Sequence, residues 1–178
     1  MTTVEFDAGR QASLVARGQS GDKAALGRLY DETFPVVYRY ALSATRNRQD
    51  AEDVAAETYE RALRALCRYQ SRDVPITAWL LRIAQNVVRE HRNKRAPWRV
   101  VDIADFDVDG LPGSESLADG IGLDDLLSAL TPAQREVMSL RLAGLKVREI
   151  AAIQGRAEGT VKALQFAAMR NMRKAVQP

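Results

Sequence analysis

The stretch Leu145–Arg173, LKVREIAAIQGRAEGTVKALQFAAMRNMR, constrains the fold more than any other part of the chain. Ile150, Ala151 and Ile153 give a short apolar face, and Gly155 ends it where a residue without a Cβ accepts positive φ. The chain restarts at Glu158-Gly159-Thr160. Val161, Leu164, Ala168 and Met172 then recur at i, i+3, i+7 and i+11 as one apolar stripe, while Lys162, Phe166, Arg170 and Arg173 share the opposite side. Ala151 lies four residues before the turn glycine and Val161 six after it. This spacing predicts a helix-turn-helix whose second helix is offered to a DNA groove. An αα-hairpin with a solvated basic face has the same pattern, and the stretch alone leaves the two readings open.

Charge is spread unevenly. Residues 1–96 carry 16 basic and 12 acidic groups, residues 97–126 one against eight, and residues 127–178 nine against three. Two basic blocks flanking an acidic connector suit a polyanion contacted at two places. At 178 residues there is room for one domain or two small ones. A mean hydropathy of −0.28 and the lack of a long apolar run argue against membrane contact. The start, MTTVEFDAGRQ, carries no secretory pattern. One cysteine, Cys67, and one histidine, His91, exclude an internal disulfide and a zinc-type cluster. No metal and no cofactor are expected, and a cytoplasmic setting fits. Cys67 reads as a small hydrophobe.

Taken in order, the chain reads as helices throughout, with no strand and no internal repeat. A short helix is predicted over 10–18, followed by a break and N-cap at Gly21-Asp22. Helical periodicity then runs from Asp22 to Thr45, with Pro35 predicting a kink or two abutting helices. Asn47–Gln49 read as a loop. The helix over 50–68 is acidic at its start and basic at its end, as the helix dipole favours; Val54, Tyr59, Ala62, Leu63 and Leu66 are its candidate core residues. Tyr69–Pro75 is a loop, and Ile76 or Thr77 opens the next helix. Residues 97–126, rich in Asp and Gly, read as a flexible acidic linker. Thr131, Pro132 and Gln134 predict a capping box at the head of a helix that Gly144 ends. The fold class is all-α: two small helical domains, 1–96 and 127–178, joined by the linker.

Asp53 and Glu57, at i and i+4, form a compact negative patch, or simply complement the dipole on a solvated face. On the helix beginning near Ile76, Arg82, Asn86, Arg89 and Asn93 share one side, and Arg92, Lys94 and Arg95 cluster at the end. Arginine forks and amides of this kind bind phosphates and base edges. His91 falls on the apolar side and reads as a packed histidine. No nucleophile–base pair, metal-ligand spacing or phosphate-cradling loop is present, so an enzyme is not expected.

Read together, the segments resemble the sigma-70 family of bacterial RNA polymerase initiation factors, and within it the compact extracytoplasmic-function (ECF) group. LVARGQSGDKAALGRLYDETFPVVYRYAL is similar to that family's opening helices, and DAEDVAAETYERAL to its polymerase-binding helix. ITAWLLRIAQNVVREHRNKR is similar to its −10 segment, and LTPAQREVMSLRLAGLKVREIAAIQGRAEGTVK to its −35 reader. The resemblance implies binding of core RNA polymerase through Asp53 and Glu57, although Ala56 stands where the family often has glutamine. It implies −10 contacts by Asn86, Arg89, Arg92, Asn93, Lys94 and Arg95, with the Tyr69–Pro75 loop forming part of a pocket for a flipped base. It implies −35 contacts by Arg156, Glu158, Thr160, Lys162, Ala163, Phe166 and Arg170. The family usually follows GTVK with Ser-Arg-Leu, whereas this chain has Ala163-Leu164-Gln165-Phe166. Phe166 is therefore read either as packing on a neighbouring helix or an inhibitor, or as a contact to a thymine methyl. Partners implied are core polymerase, promoter DNA and an anti-sigma factor, with the linker running through the polymerase's basic channels. A stand-alone helix-turn-helix regulator and a sigma-like adaptor without promoter binding are the alternative readings.

Overall fold

The structure is a computed structural model that describes residues 8–70, 75–94 and 123–176. Among the described residues there are helices and no strands: α1 Ala8–Gln19, α2 Lys23–Thr45, α3 Arg48–Ala65 with a 3₁₀ turn Leu66–Arg68, α4 Ile76–Lys94, α5 Leu123–Ser128, α6 Pro132–Leu142, α7 Val147–Gln154 and α8 Glu158–Val176. Most of the linker expected at 97–126 lies outside the described residues.

Local chemistry sets most boundaries. Asp22 caps α2 by accepting the Ala25 N–H at 3.0 Å, and Arg17 holds the same carboxylate at 2.6–2.9 Å. Of the two expectations at Pro35, two abutting helices do not form: α2 is one continuous helix with the proline inside it. Pro35 is exposed, whereas its neighbours Thr33, Val36 and Val37 are at most 1% exposed. Burial on both sides outweighs the one backbone bond that proline removes. The loop expected at Asn47–Gln49 is shorter than predicted. Asn47 is itself the cap, accepting the Asp50 N–H at 3.0 Å, so α3 begins at Arg48. The capping box of α6 forms as expected: Thr131 Oγ1 accepts the Gln134 N–H at 3.4 Å and Gln134 Oε1 accepts the Thr131 N–H at 3.1 Å. Gly144 at φ +96° and Gly155 at φ +64° make the turns after α6 and α7 that need left-handed backbone.

One expected core residue, Leu63, is not core, and Cys67, read as a small hydrophobe, is not buried. Cys67 is exposed on the 3₁₀ turn, and Leu63 is 59% exposed on α3. The buried stripe at this end runs through Ala55, Thr58, Ala62 and Leu66 at i, i+3, i+7 and i+11; Leu63 falls off it, and Leu66 is buried as expected.

The two helical domains also touch: α2 packs on α6 and α4 on α7. One apolar cluster runs from Val37, Val54, Leu81 and Val87 to Val137, Leu140, Leu145, Ile150 and Val161. Ser43 of α2 donates to the Ser139 carbonyl of α6 at 3.4 Å, and Arg82 of α4 donates to the Ile153 carbonyl of α7 at 3.1 Å. A smaller cluster, Leu127, Leu130 and Ala168 with Met138 and Met172, fastens α5 to α8. Linear sequence hides such packing, because the apolar faces of α6 and α7 look the same whether they bury within their own domain or against another. Leu140 is fully buried in the shared cluster. Leu140→Ala is expected to lower unfolding free energy by about 2–5 kcal/mol, measured by urea denaturation.

Candidate nucleic-acid interface

The helix-turn-helix is formed by α7, the Gly155 turn and α8. Gly155 caps α7 by donating its N–H to Ala151. Val161 and Ala168 are fully buried, which fixes the rotation of α8 about its axis. That rotation leaves Arg156, Glu158, Thr160, Lys162, Ala163, Phe166 and Arg170 exposed. Phe166 is 70% exposed and Met169 is 42% exposed, so neither packs into the chain as a core residue would. A large apolar ring standing in water beside two cations marks a surface meant to be covered.

On α4, burial of Leu80, Leu81, Ala84, Val87 and Val88 sends Arg82, Asn86, Arg89 and Arg92 outward. These side chains do not all face open solvent. Arg82 sits on the Ile153 carbonyl at 3.1 Å, Arg92 on the Ala44 carbonyl at 2.9 Å, and Arg89 lies 3.8 Å from Glu136. Arg89 also donates to Asn86 Oδ1 at 3.3 Å. The side chains of Asn93 and Lys94, and all of Arg95, lie outside the described residues.

Of the loop expected at Tyr69–Pro75, residues 71–74 lie outside the described residues; Tyr69, Gln70 and Pro75 border a cleft of about 290 Å³. Tyr69 and Trp79 meet there with ring centroids 4.8 Å apart, and Arg68, Arg82 and Ile153 complete its wall. Sequence reasoning did not single out Trp79. Its position three residues into α4, beside the loop, was the available signal.

The acidic pair divides. Asp53 is exposed, whereas Glu57 is half-buried and fully engaged. Its Oε2 lies 2.7 Å from His91 Nε2, and its Oε1 accepts from Arg61, which also grips Glu90 of α4. Burial pushes the Glu57 carboxyl up, but hydrogen bonds from His91 and Arg61 prevail and hold it below the ordinary carboxylate range. His91 is therefore not simply packed among apolar groups. It joins α4 to α3 across 34 positions of sequence, a distance no periodicity reports.

Two family models match the chain: sigma-70 region 2 over residues 29–97 and sigma-70 region 4 over residues 121–172. It is 33% identical over 168 residues to the ECF RNA polymerase sigma factor SigL of Mycobacterium tuberculosis, covering 90% of this chain and 94% of SigL. The chain belongs to the sigma-70 family, in its ECF group. This sigma factor is also 38% identical over 178 residues to the ECF sigma factor BldN of Streptomyces coelicolor, covering 94% of the chain but only 66% of BldN's length. Its fold is similar to that of CnrH in complex with the cytosolic domain of CnrY, with a TM-score of 0.73, 24% identity, and coverage of 94% of this chain and 97% of that one. It is also similar to RpoE bound to the anti-sigma factor NepR from Bartonella quintana, with a TM-score of 0.62, 22% identity, and coverage of 85% and 96%. The chain is a sigma factor for transcription initiation, a family that is not a class of enzymes. Among the described residues, no helix of this sigma factor is long and apolar enough to cross a membrane.

A carboxyl held below its unfolded value stabilises the fold above the unfolded pKa and loses that contribution as pH falls through the folded one. The α3–α4 clasp is thus expected to be intact at neutral pH and to weaken on acidification below about pH 4. Urea denaturation of Glu57→Gln against the parent protein should show a stability gap at pH 7 that narrows at pH 3.

Proposed function

We propose that the chain binds core RNA polymerase through the α3 face carrying Asp53 and Glu57 and directs it to promoters with two DNA-reading surfaces. The N-terminal unit, residues 1–96, would contact the −10 element through Asn86, Arg89, Arg92, Asn93, Lys94 and Arg95. The cleft beside Tyr69 and Trp79 is suited to stacking a base drawn from the melted strand. The C-terminal unit, residues 127–178, would seat α8 in the −35 major groove through Arg156, Glu158, Thr160, Lys162, Ala163, Phe166 and Arg170. Residues 97–126 would connect the two. The protein works in the cytoplasm, performs no catalysis of its own, and is restrained by an anti-sigma partner. The solved complexes of CnrH with CnrY and of RpoE with NepR support that last point by analogy.

The observation that carries this reading is the exposure of all seven −35 candidates around one buried stripe, in a chain that matches both sigma regions. Phe166 projects from the same side as Lys162 and Arg170 without an internal partner cluster, which favours contact with a thymine methyl.

Run-off transcription with purified core polymerase tests the whole reading. Transcripts from specific promoters are expected only when the chain is present, and tight promoter binding by the chain alone would instead support a stand-alone regulator. Lys162→Ala should cost about 1–3 kcal/mol of −35 affinity with the circular dichroism spectrum unchanged. Glu57→Lys would set a second cation against Arg61, break the contact to His91 and disturb the fold, so Asp53→Lys is the cleaner probe of polymerase binding. Asp53 is exposed. Its charge reversal should abolish co-elution with core polymerase while leaving the melting temperature within about 2 °C.

A further inference from the structure

Where α4 faces α6 and the α7–α8 turn, the two halves enclose a cleft of about 380 Å³. Among the described residues, four guanidinium groups line it, Arg89 and Arg92 from α4, Arg135 from α6 and Arg156 from the turn, against one carboxylate, Glu136. Two of the four are fixed by neutral acceptors. Arg92 donates to the Ala44 carbonyl at 2.9 Å, and Arg135 donates to the Leu127 and Leu130 carbonyls at 3.1 and 3.3 Å. These bonds hold the forks in place and leave their charge uncompensated. Gln85 also lines the cleft. It is 7% exposed, and its Nε2 is buried without a hydrogen-bond partner among the described residues.

We propose that this interdomain cleft is a binding site for a small polyphosphate anion, inorganic or carried by a nucleoside, that bridges the two halves and holds them together. A phosphate chain supplies several oxygens to several forks at once, the geometry for which arginine is better suited than lysine. The buried Gln85 amide supplies a further donor. The cost of the empty arrangement is visible in Arg135: burial pushes its guanidinium below its usual range, and repulsion from Arg92 and Arg46 adds to this. An anion removes that repulsion. Because its ligands come from both halves, it binds the closed arrangement and stabilises it by mass action. The binding claim stands apart from the promoter reading. Only a corollary rests on that reading, that the anion competes with promoter DNA for Arg89, Arg92 and Arg156.

The test is calorimetric titration of the full-length chain with sodium tripolyphosphate and with adenosine triphosphate, at ionic strength matched with sodium chloride. Saturable binding of one anion per chain is expected. Arg156→Gln, an exposed side chain, should weaken it by about tenfold. Glu136→Gln, which removes the one opposing charge, should strengthen it by up to about fivefold. Equal affinity for the two anions would identify the phosphate chain as the ligand, and tighter triphosphate binding would identify a nucleoside polyphosphate; both support the site. Unsaturable binding, a stoichiometry above one, or affinities unmoved by both substitutions would overturn it. Transcription is not needed for this readout, so failure of the sigma reading and failure of the anion site are separable.

Discussion

Three arginines rest on the carbonyl ends of helices; two of these contacts brace a half from within, and one, from Arg82, joins the halves. Arg92 sits on Ala44 in the last turn of α2, Arg82 on Ile153 in the last turn of α7, and Arg135 on Leu127 near the end of α5. The last carbonyls of a helix have no partner within it and carry the negative end of its dipole, so a guanidinium there satisfies both. Each seat is worth roughly 0.3–1 kcal/mol. That is enough to hold a side chain in one place and little enough to be surrendered to a phosphate, whose charge-assisted bonds are about twice as strong.

Seating arginines on neutral acceptors fixes them without neutralising them, which is what a surface waiting for an anion requires. The α4 helix shows the consequence. Its apolar side is committed to the core through Leu81, Ala84 and Val87, so its polar side has a single direction in which to project. In the closed arrangement that direction meets α6 and α7. On the promoter reading, one side chain that contacts the −10 element also reaches the C-terminal half: Arg89 cannot lie 3.8 Å from Glu136 and on a DNA phosphate at once.

Most of the fold was legible because short-range rules decide it. Asp22, Thr131 and Gly155 are recognisable caps, and the buried stripe of α8 follows from its period. The errors share one cause, the priority of tertiary packing over a local signal. Pro35 could have divided the run into two abutting helices, but buried Thr33 before it and Val36 and Val37 after it keep one helix. Leu63 should be buried, but the buried stripe of α3 runs through Ala55, Thr58 and Ala62 to Leu66 and leaves it in solvent. The exposed −35 candidates were readable because they are what the buried stripe leaves over. The clasp at Glu57 was not, because its partner His91 and Arg61's second partner Glu90 lie on another helix and only the Arg61–Glu57 contact falls at i, i+4. The meeting of the two halves was equally hidden, since no residue pattern states which of two available surfaces an apolar helix face will cover.

The clasp at Glu57 and the seats of α4 act on the same helix from opposite sides. Glu57, His91, Arg61 and Glu90 fasten α4 to the face proposed for polymerase, while Arg82 and Arg89 fasten it to the C-terminal half. A partner that binds Asp53 and draws on Glu57 therefore disturbs the inner tether of the helix whose outer side holds the molecule closed. Such a partner shifts the balance toward an open form only by the difference in its affinity for the two arrangements. The opposing terms here are small polar contacts and one shared apolar cluster. A buried apolar contact between halves resists separation far more than exposed ion pairs do, so the cluster joining α2 to α6, rather than the Arg89–Glu136 pair, sets how much binding energy the opening must draw upon.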